Sequence, residues 1–437
     1  MPDNLLSSNR TIRKTDIKNL TGRAKPKALP VTLLFLIWPF ALLLTSLKNF
    51  NAPGAKKGFI LFCLYFGFVF IISMDLEGAD SARYAQMLRD LHQLPLSFSN
   101  LWASLYSYES NLLDIYQPLL TWVVSLFTDN AHILFSLFAL VFGWFYANNI
   151  WIILKEIQSN ISYTLVIFMF AFALIIPIWY INGVRMYTAA QIFIYGVLRY
   201  FIENERKKGL MWAGVSAFVH FSFIFPLFIL LVFKFIPKKI LIYSIFFIVT
   251  LFVSEVNLFL VQDSLRLLPE IFQPRVSSYT NTDYAFSIAA SAKEYNWYVG
   301  FSGTSLKIAV TSMLFVLLFH GRKTLRSNLF LYEFACFILL FGSLANLASL
   351  VPSGGRFLAL VNALSMVFIV LYLSSYRINF MVKLVRTLSL PLLIFYCIFS
   401  IRVGFDFIGI STFLGNPITA LFIEDSTPII EYVKSLF

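Results

Sequence analysis

Two short stretches of this chain place arginine just after glycine, where a helix is predicted to begin. They are Asn182-Gly183-Val184-Arg185 and Ser353-Gly354-Gly355-Arg356. The first turn of a helix offers free N–H groups and the positive end of its dipole, so it suits an anion. A guanidinium added there is planar, permanently charged and able to fork onto phosphate oxygens. Two such sites together favour one anionic ligand; the plainer alternative is a pair of arginines snorkelling to lipid headgroups. His220, in Ser216-Ala217-Phe218-Val219-His220-Phe221-Ser222 with Pro226 following, is the candidate base. An ordinary pKa near about 6.5 lets a histidine take a proton at neutral pH. A lone histidine in an apolar stretch is equally consistent with a packed, hydrogen-bonded helix residue. Asp75, Glu77 and Asp80, followed by Arg83 and Tyr84, supply carboxylates that can hold a metal, act as a base or cap a helix. Asp80 stands where it would cap a helix over 81–91. Their spacing alone makes no metal set. Over 262–298, Arg266, Arg275, Asp283 and Lys293 are interleaved with Tyr279, Tyr284, Tyr295 and Trp297, a mixture that suits sugar stacking or an interfacial aromatic belt.

The elements that must position these residues lie in a membrane. Of 437 residues 59% are hydrophobic and only 13% charged, and the mean hydropathy is +0.77. A soluble chain could not solvate so apolar a surface. The net charge of +12 does not mark a nucleic-acid binder, because the basic residues form short blocks between apolar runs instead of one basic face. Cys63, Cys336 and Cys397 all lie inside apolar runs, so neither a disulfide framework nor a zinc site is expected. The basic first 30 residues precede an apolar run with no small-residue cleavage site, so that run is expected to be retained.

Full-length spans are predicted at 58–74, 132–154, 161–181, 186–202, 240–261, 299–319, 328–350, 357–375 and 387–403. Three runs fit poorly. Residues 116–127 are too short to cross, 31–47 carry Trp38-Pro39 at their centre, and 210–233 are interrupted by His220 and Pro226. The last two have basic residues on both flanks, which a crossing helix should not. All three are expected to be broken or re-entrant, returning to the side they start from. The result is an all-α polytopic transmembrane bundle of about 9–12 membrane segments. Its expected parts are a cytoplasmic basic N-terminus (1–30), a transmembrane catalytic domain (31–403) with outer loops 75–115 and 262–298, and an outer-face C-terminal segment (404–437). In that arrangement 24 of the 34 Lys and Arg fall inside and 16 of the 22 acids outside, as the positive-inside rule requires.

Taken in order, Asp80-x-x-Arg83-Tyr84, Tyr116-Gln117-Pro118-Leu119, Asn182-Gly183-Val184-Arg185 with Ala189, and His220-x-Ser222 before Pro226 form a pattern. It resembles the EpsG-like branch of bacterial polysaccharide polymerases, functionally akin to Wzy O-antigen polymerases. The resemblance covers about residues 75–226, and Arg356 looks like the family's later arginine. Many members have Glu-Pro where this chain has Gln117-Pro118, which removes any charge role there. The resemblance implies a GT-C-related glycosyltransferase of the bacterial cytoplasmic membrane, its site facing the periplasm or exterior. It would join oligosaccharide repeat units carried on undecaprenyl pyrophosphate. On that footing Arg185 and Arg356 would neutralise the leaving pyrophosphate, and His220 or Asp80 would take the hydroxyl proton. Arg83, Tyr84 and Asn182 would shape the site, and Arg275 would close it. No cofactor is needed, since the donor is already activated; a divalent metal near Asp75, Glu77 and Asp80 is an option the arginines could replace. Expected partners are the lipid-linked donor and acceptor, membrane lipid and a chain-length regulator.

Three other classes stay open. An O-antigen ligase would use the same donor, and a GT-C monosaccharide transferase would depend on an acidic pair such as Asp75 and Glu77. A lipid-linked oligosaccharide flippase should carry charge deep in several helices, whereas here the polar features gather at one face.

Overall fold

The structure is a computed structural model that describes residues 30–74, 79–94, 114–157, 161–254, 296–423 and 426–436. The described chain is a helical bundle whose one β-bridge, Phe70 with Ile408, is isolated. In chain order the principal helices are α1 (Val31–Ile37), α2 (Pro39–Lys48), α3 (Ala55–Phe68), α4 (Asp80–Gln93) and α5 (Tyr116–Ser125). There follow α6 (Ala131–Glu156), α7 (Tyr163–Ile175), α8 (Val184–Phe201), α9 (Arg206–Val219) and α10 (Ile224–Phe235). The second half contributes α11 (Ile240–Leu251), α12 (Trp297–His320), α13 (Leu329–Ala348), α14 (Arg356–Ser375) and α15 (Phe380–Gly404).

Among the described residues, six runs are long and apolar enough to cross a membrane, so this is a multi-pass membrane protein. One of the six, Tyr163–Phe201, is 39 residues, or about 58 Å as a single helix, and it is broken. Ile176 is non-helical and precedes Pro177; a 3₁₀ segment, Ile178–Gly183, then leads into α8. The carbonyl freed at the break is satisfied from α8: Gln191 Nε2 donates to Ile176 O at 2.9 Å, and Asn149 on α6 holds the Gln191 amide oxygen at 2.8 Å. Polar caps set the helix starts elsewhere. The side chains of Asn130, Ser162, Asn328 and Asn379 accept the free N–H groups that open α6, α7, α13 and α15.

Two of the three awkward runs are broken where their sequences indicate. The 31–47 run splits at Trp38, and Val31 at its start comes back against Gly54 beyond its end. The 210–233 run splits at His220, whose extended backbone (φ −147, ψ 118) ends α9 before a 3₁₀ turn, Phe221–Phe223, leads into α10. Its two ends meet the same end of α13: Arg206 bonds Glu333 at 3.0 Å, and the Tyr332 hydroxyl donates to Lys238 O at 3.1 Å. The α9–α10 pair therefore returns to the side it started from. Pro226, expected to interrupt this run, lies in the first turn of α10, where its missing N–H costs nothing.

The third run forms the short helix α5. The predicted span 58–74 is shorter than expected: the helix stops at Phe68 and the chain continues extended, with Ile71 N bonded to Phe407 O at 3.1 Å. Extended backbone is stable there because residues 407–408 pair with it.

Among the described helices α8 is the most buried. Close packing with α9 depends on Gly196 and Gly209, because a Cβ on either would fall within 2.7 Å of the other helix's backbone. Away from this core, Phe228, Leu241, Ile242, Ile245 and Val249 stand exposed on α10 and α11, the face such a bundle turns to lipid.

Candidate functional site

The site forms where three helix boundaries converge: the start of α8, the break at His220 and the start of α14. The first two are tied by Asp114, which directly precedes α5. Asp114 is 1% exposed and both of its carboxylate oxygens are used. Oδ2 accepts from His220 Nδ1 at 2.8 Å and from Arg185 Nη1 at 3.3 Å; Oδ1 accepts from Phe221 N at 2.7 Å. The break at His220 makes this geometry available, because it releases the Phe221 N–H from a helical partner. One residue on, Ile115 N donates to Phe218 O at 3.1 Å, so α5 is docked to the broken helix by main chain as well. Burial opposes ionisation of Asp114. The hydrogen bond and charge of His220, the Phe221 N–H and Arg185 outweigh it, so the carboxyl sits below its ordinary value.

Arg185 sits in the first turn of α8, as its sequence context predicts. Its Nε donates to the Tyr84 hydroxyl at 3.2 Å, and the guanidinium lies 5.9 Å from the centre of that ring. Tyr84 is buried on α4, and burial pushes its phenol up to about 12, so it meets Arg185 as a neutral acceptor. Asp80 opens the same helix and is ion-paired with Arg83. A Cβ on Gly183 would stand 3.2 Å from the Tyr187 ring, so this glycine lets the ring close on the start of α8, and it would be in ordinary contact, 3.8 Å, with Asp80 Oδ2. Asn182 Oδ1 is buried without a hydrogen-bond partner among the described residues.

Arg356 is placed differently. It opens α14, but it lines a cavity of about 640 Å³ that extends between α12, α14 and α15. Tyr180 and Tyr187, 4.4 Å apart as rings, wall the cavity beside the start of α8. The next residue, Phe357, packs on Phe225 and Phe223 just past the His220 break. The cavity and the Asp114 cluster are thus neighbours, with Tyr187 between Asp80 and Arg356.

Asp80, Arg83, Tyr84, Asn182, Arg185 and His220 are therefore brought together, with Arg356 in the adjoining cavity. Arg275, Asp75 and Glu77 lie outside the described residues. Among the described residues no three His, Cys, Asp or Glu side chains gather as a metal would require. Sequence reasoning missed Asp114; the available signal was an acid directly before a helix too short to cross. It also missed Tyr187.

Chemically, the cluster resembles an oriented base. With Nδ1 on a carboxylate, the imidazole is held in one tautomer and its Nε2 is left to act. Nε2 is buried and has no partner among the described residues. An orphaned polar atom of that kind is costly unless a ligand completes it.

Residues 58–414 match the EpsG family. The match takes in α3 to α15, including the second half of the chain beyond residues 75–226. No curated protein matches the chain, and no solved structure does.

Proposed function

Because the chain belongs to the EpsG family, we propose that it is a membrane polysaccharide polymerase. It joins oligosaccharide repeat units carried on undecaprenyl pyrophosphate at the outer face of the bacterial cytoplasmic membrane. The observation that carries this reading is the buried Asp114–His220–Arg185 cluster beside the cavity that holds Arg356.

In the proposed step, a hydroxyl of the acceptor unit attacks the anomeric carbon of the donor sugar. A carbon–oxygen bond forms, and the bond from that carbon to the pyrophosphate oxygen breaks, its electrons leaving with the pyrophosphate. His220 Nε2 accepts the hydroxyl proton while Asp114 stabilises the imidazolium that results. Asp80, partly exposed at the Gly183 opening, is the alternative acceptor. Arg185 and Arg356 stabilise the charge that develops on the leaving group. A direct displacement of this kind inverts the anomeric carbon. The donor is activated by its own pyrophosphate, so no nucleotide enters, and the two arginines supply charge that a divalent cation would otherwise bring.

The test is a gene deletion complemented with the wild-type chain and with His220→Ala, with surface glycan resolved on gels. Single repeat units that become a ladder only with the wild-type chain are expected. Loss of all surface glycan in the deletion, single units included, would overturn the polymerase reading in favour of ligation or flipping.

A further inference from the structure

The cavity that takes Arg356 holds a second cation that the proposed reaction leaves unused. Lys307 lies in the eleventh position of the 24-residue helix α12, about 15 Å along its axis from Trp297. That is near the middle of a membrane-crossing helix, where a lysine is costly to insert. Such residues face an interior cavity or a partner. Lys307 lines the same cavity as Arg356, and none of the described residues lining it is acidic. Among the described residues neither cation makes an ion pair.

The wall that carries Lys307 is built for occupancy. Gly300, Gly303, Thr304, Lys307 and Thr311 follow helical spacing and all face the cavity. A Cβ on Gly300 or Gly303 would meet nothing within 4 Å among the described residues, so packing against them does not require either glycine. Asn346 and Asn362 add polar groups, and Phe247, Leu251, Leu358 and Phe399 make the rest of the lining apolar. Two cations without an acidic partner among the described residues, amid polar and apolar walls, fit a ligand with a multiply charged anionic head on a hydrocarbon chain.

We propose that this cavity seats the multiply charged phosphate head of a lipid carrier, with Lys307 and Arg356 on its oxygens and the Gly300–Gly303 face giving it room. The proposal rests on the polymerase reading only for the identity of that lipid as the donor carrier. Lys307 then sets how deep the head sits, and Arg356 meets it at the outer end.

The experiment uses the full chain purified in detergent and radiolabelled geranylgeranyl diphosphate as the probe, with phosphatidylglycerol as competitor. Saturable binding is expected, weakened at least tenfold in Lys307→Gln, restored in Lys307→Arg and lost in Gly303→Leu, whose side chain occupies the open space beside that glycine. Equal binding by wild type and Lys307→Gln overturns the proposal. So does displacement of the diphosphate by an equal amount of phosphatidylglycerol, which would assign the cavity to ambient lipid. The same variants, scored for glycan ladders in the deletion strain, separate the two ideas. Binding lost with the ladder intact removes the seat from the polymerase site; binding intact with the ladder lost leaves the polymerase reading standing and the seat refuted.

Discussion

His220 Nδ1 and Asp114 Oδ2 are 2.8 Å apart, although 106 residues of chain separate them. The contact fixes the ring, docks α5 on the broken helix and gives a partly buried arginine its counter-charge. Removing the carboxylate should therefore be felt in both activity and stability. Asp114→Ala leaves His220, Arg185 and the Phe221 N–H without their acceptor. Breaking a buried pair in this way costs about 3–5 kcal/mol. The expected results are a lowered thermal midpoint in detergent and no glycan ladder. Asp114→Asn, which keeps the shape, should retain more of the stability while still losing the ladder.

Acid should act through the same carboxyl. Its folded pKa is depressed, so its contribution to stability is present above the unfolded value of about 3.9 and is lost as pH falls through the folded one. Between pH 5 and 8 this contribution should be flat. Thermal midpoints measured across pH 3 to 8 should fall below about pH 4 in the wild-type chain and show a smaller acid-side fall in Asp114→Asn. An unchanged acid-side fall in that variant would remove Asp114 as the group responsible.

Arg185 bridges Tyr84 and Asp114 with two different nitrogens, which a lysine cannot do. Arg185→Lys should lower polymer yield by at least about tenfold, equivalent to about 1.4 kcal/mol, and Arg185→Ala and Arg356→Ala should each abolish it. Immunoblots of membrane fractions should show every variant inserted. Full ladders from either alanine variant would end the role proposed for that arginine.

The gathering of the site also shows how far the sequence could be read. Arg185 and Arg356 were legible as helix openings because glycine, then arginine, is a local signal that needs no partner. The break at His220 was legible because basic residues at both ends of 210–233 are incompatible with a crossing. Asp114 was hidden because an acid before a short helix looks like any solvated loop residue until the chain segment it meets, 218–221, is in place. The relation between the two arginines was hidden for a different reason. Sequence gives the level of a helix start but not the rotation of the helix, so only the structure separates Arg185 in the cluster from Arg356 in the cavity. The end of α3 at Phe68 was missed because hydropathy registers burial, and a paired extended segment is as apolar as a helix.

The crossing of α8 and α9 should be intolerant of bulk. A Cβ on Gly196 would fall 2.7 Å from backbone atoms of Gly209 and Ala213, so the helices must separate to admit one. Gly196→Ala should destabilise the protein by an amount at the upper end of about 1–3 kcal/mol, and Gly196→Leu should prevent accumulation in the membrane. Gly300→Ala, on the open cavity face, serves as the control and should not lower the midpoint, since alanine favours the helix.

Membrane sidedness is testable directly, because Cys63, Cys336 and Cys397 are buried and should give little background. A single cysteine at Ser277 should react with an impermeant maleimide in intact cells, and one at Ser327 only after lysis. Reaction of Ser327→Cys from outside would invert the proposed orientation.

The return of α9–α10 to its starting side has a consequence for parity. A segment that enters and leaves by the same face adds an even number of crossings, so it does not invert whatever follows. Had the 210–233 run been one straight helix, every later element would be flipped, and the start of α14 would stand across the bilayer from the start of α8. The kink at a single histidine thus decides that the two arginine-bearing helix openings, 171 positions apart in the chain, share one compartment.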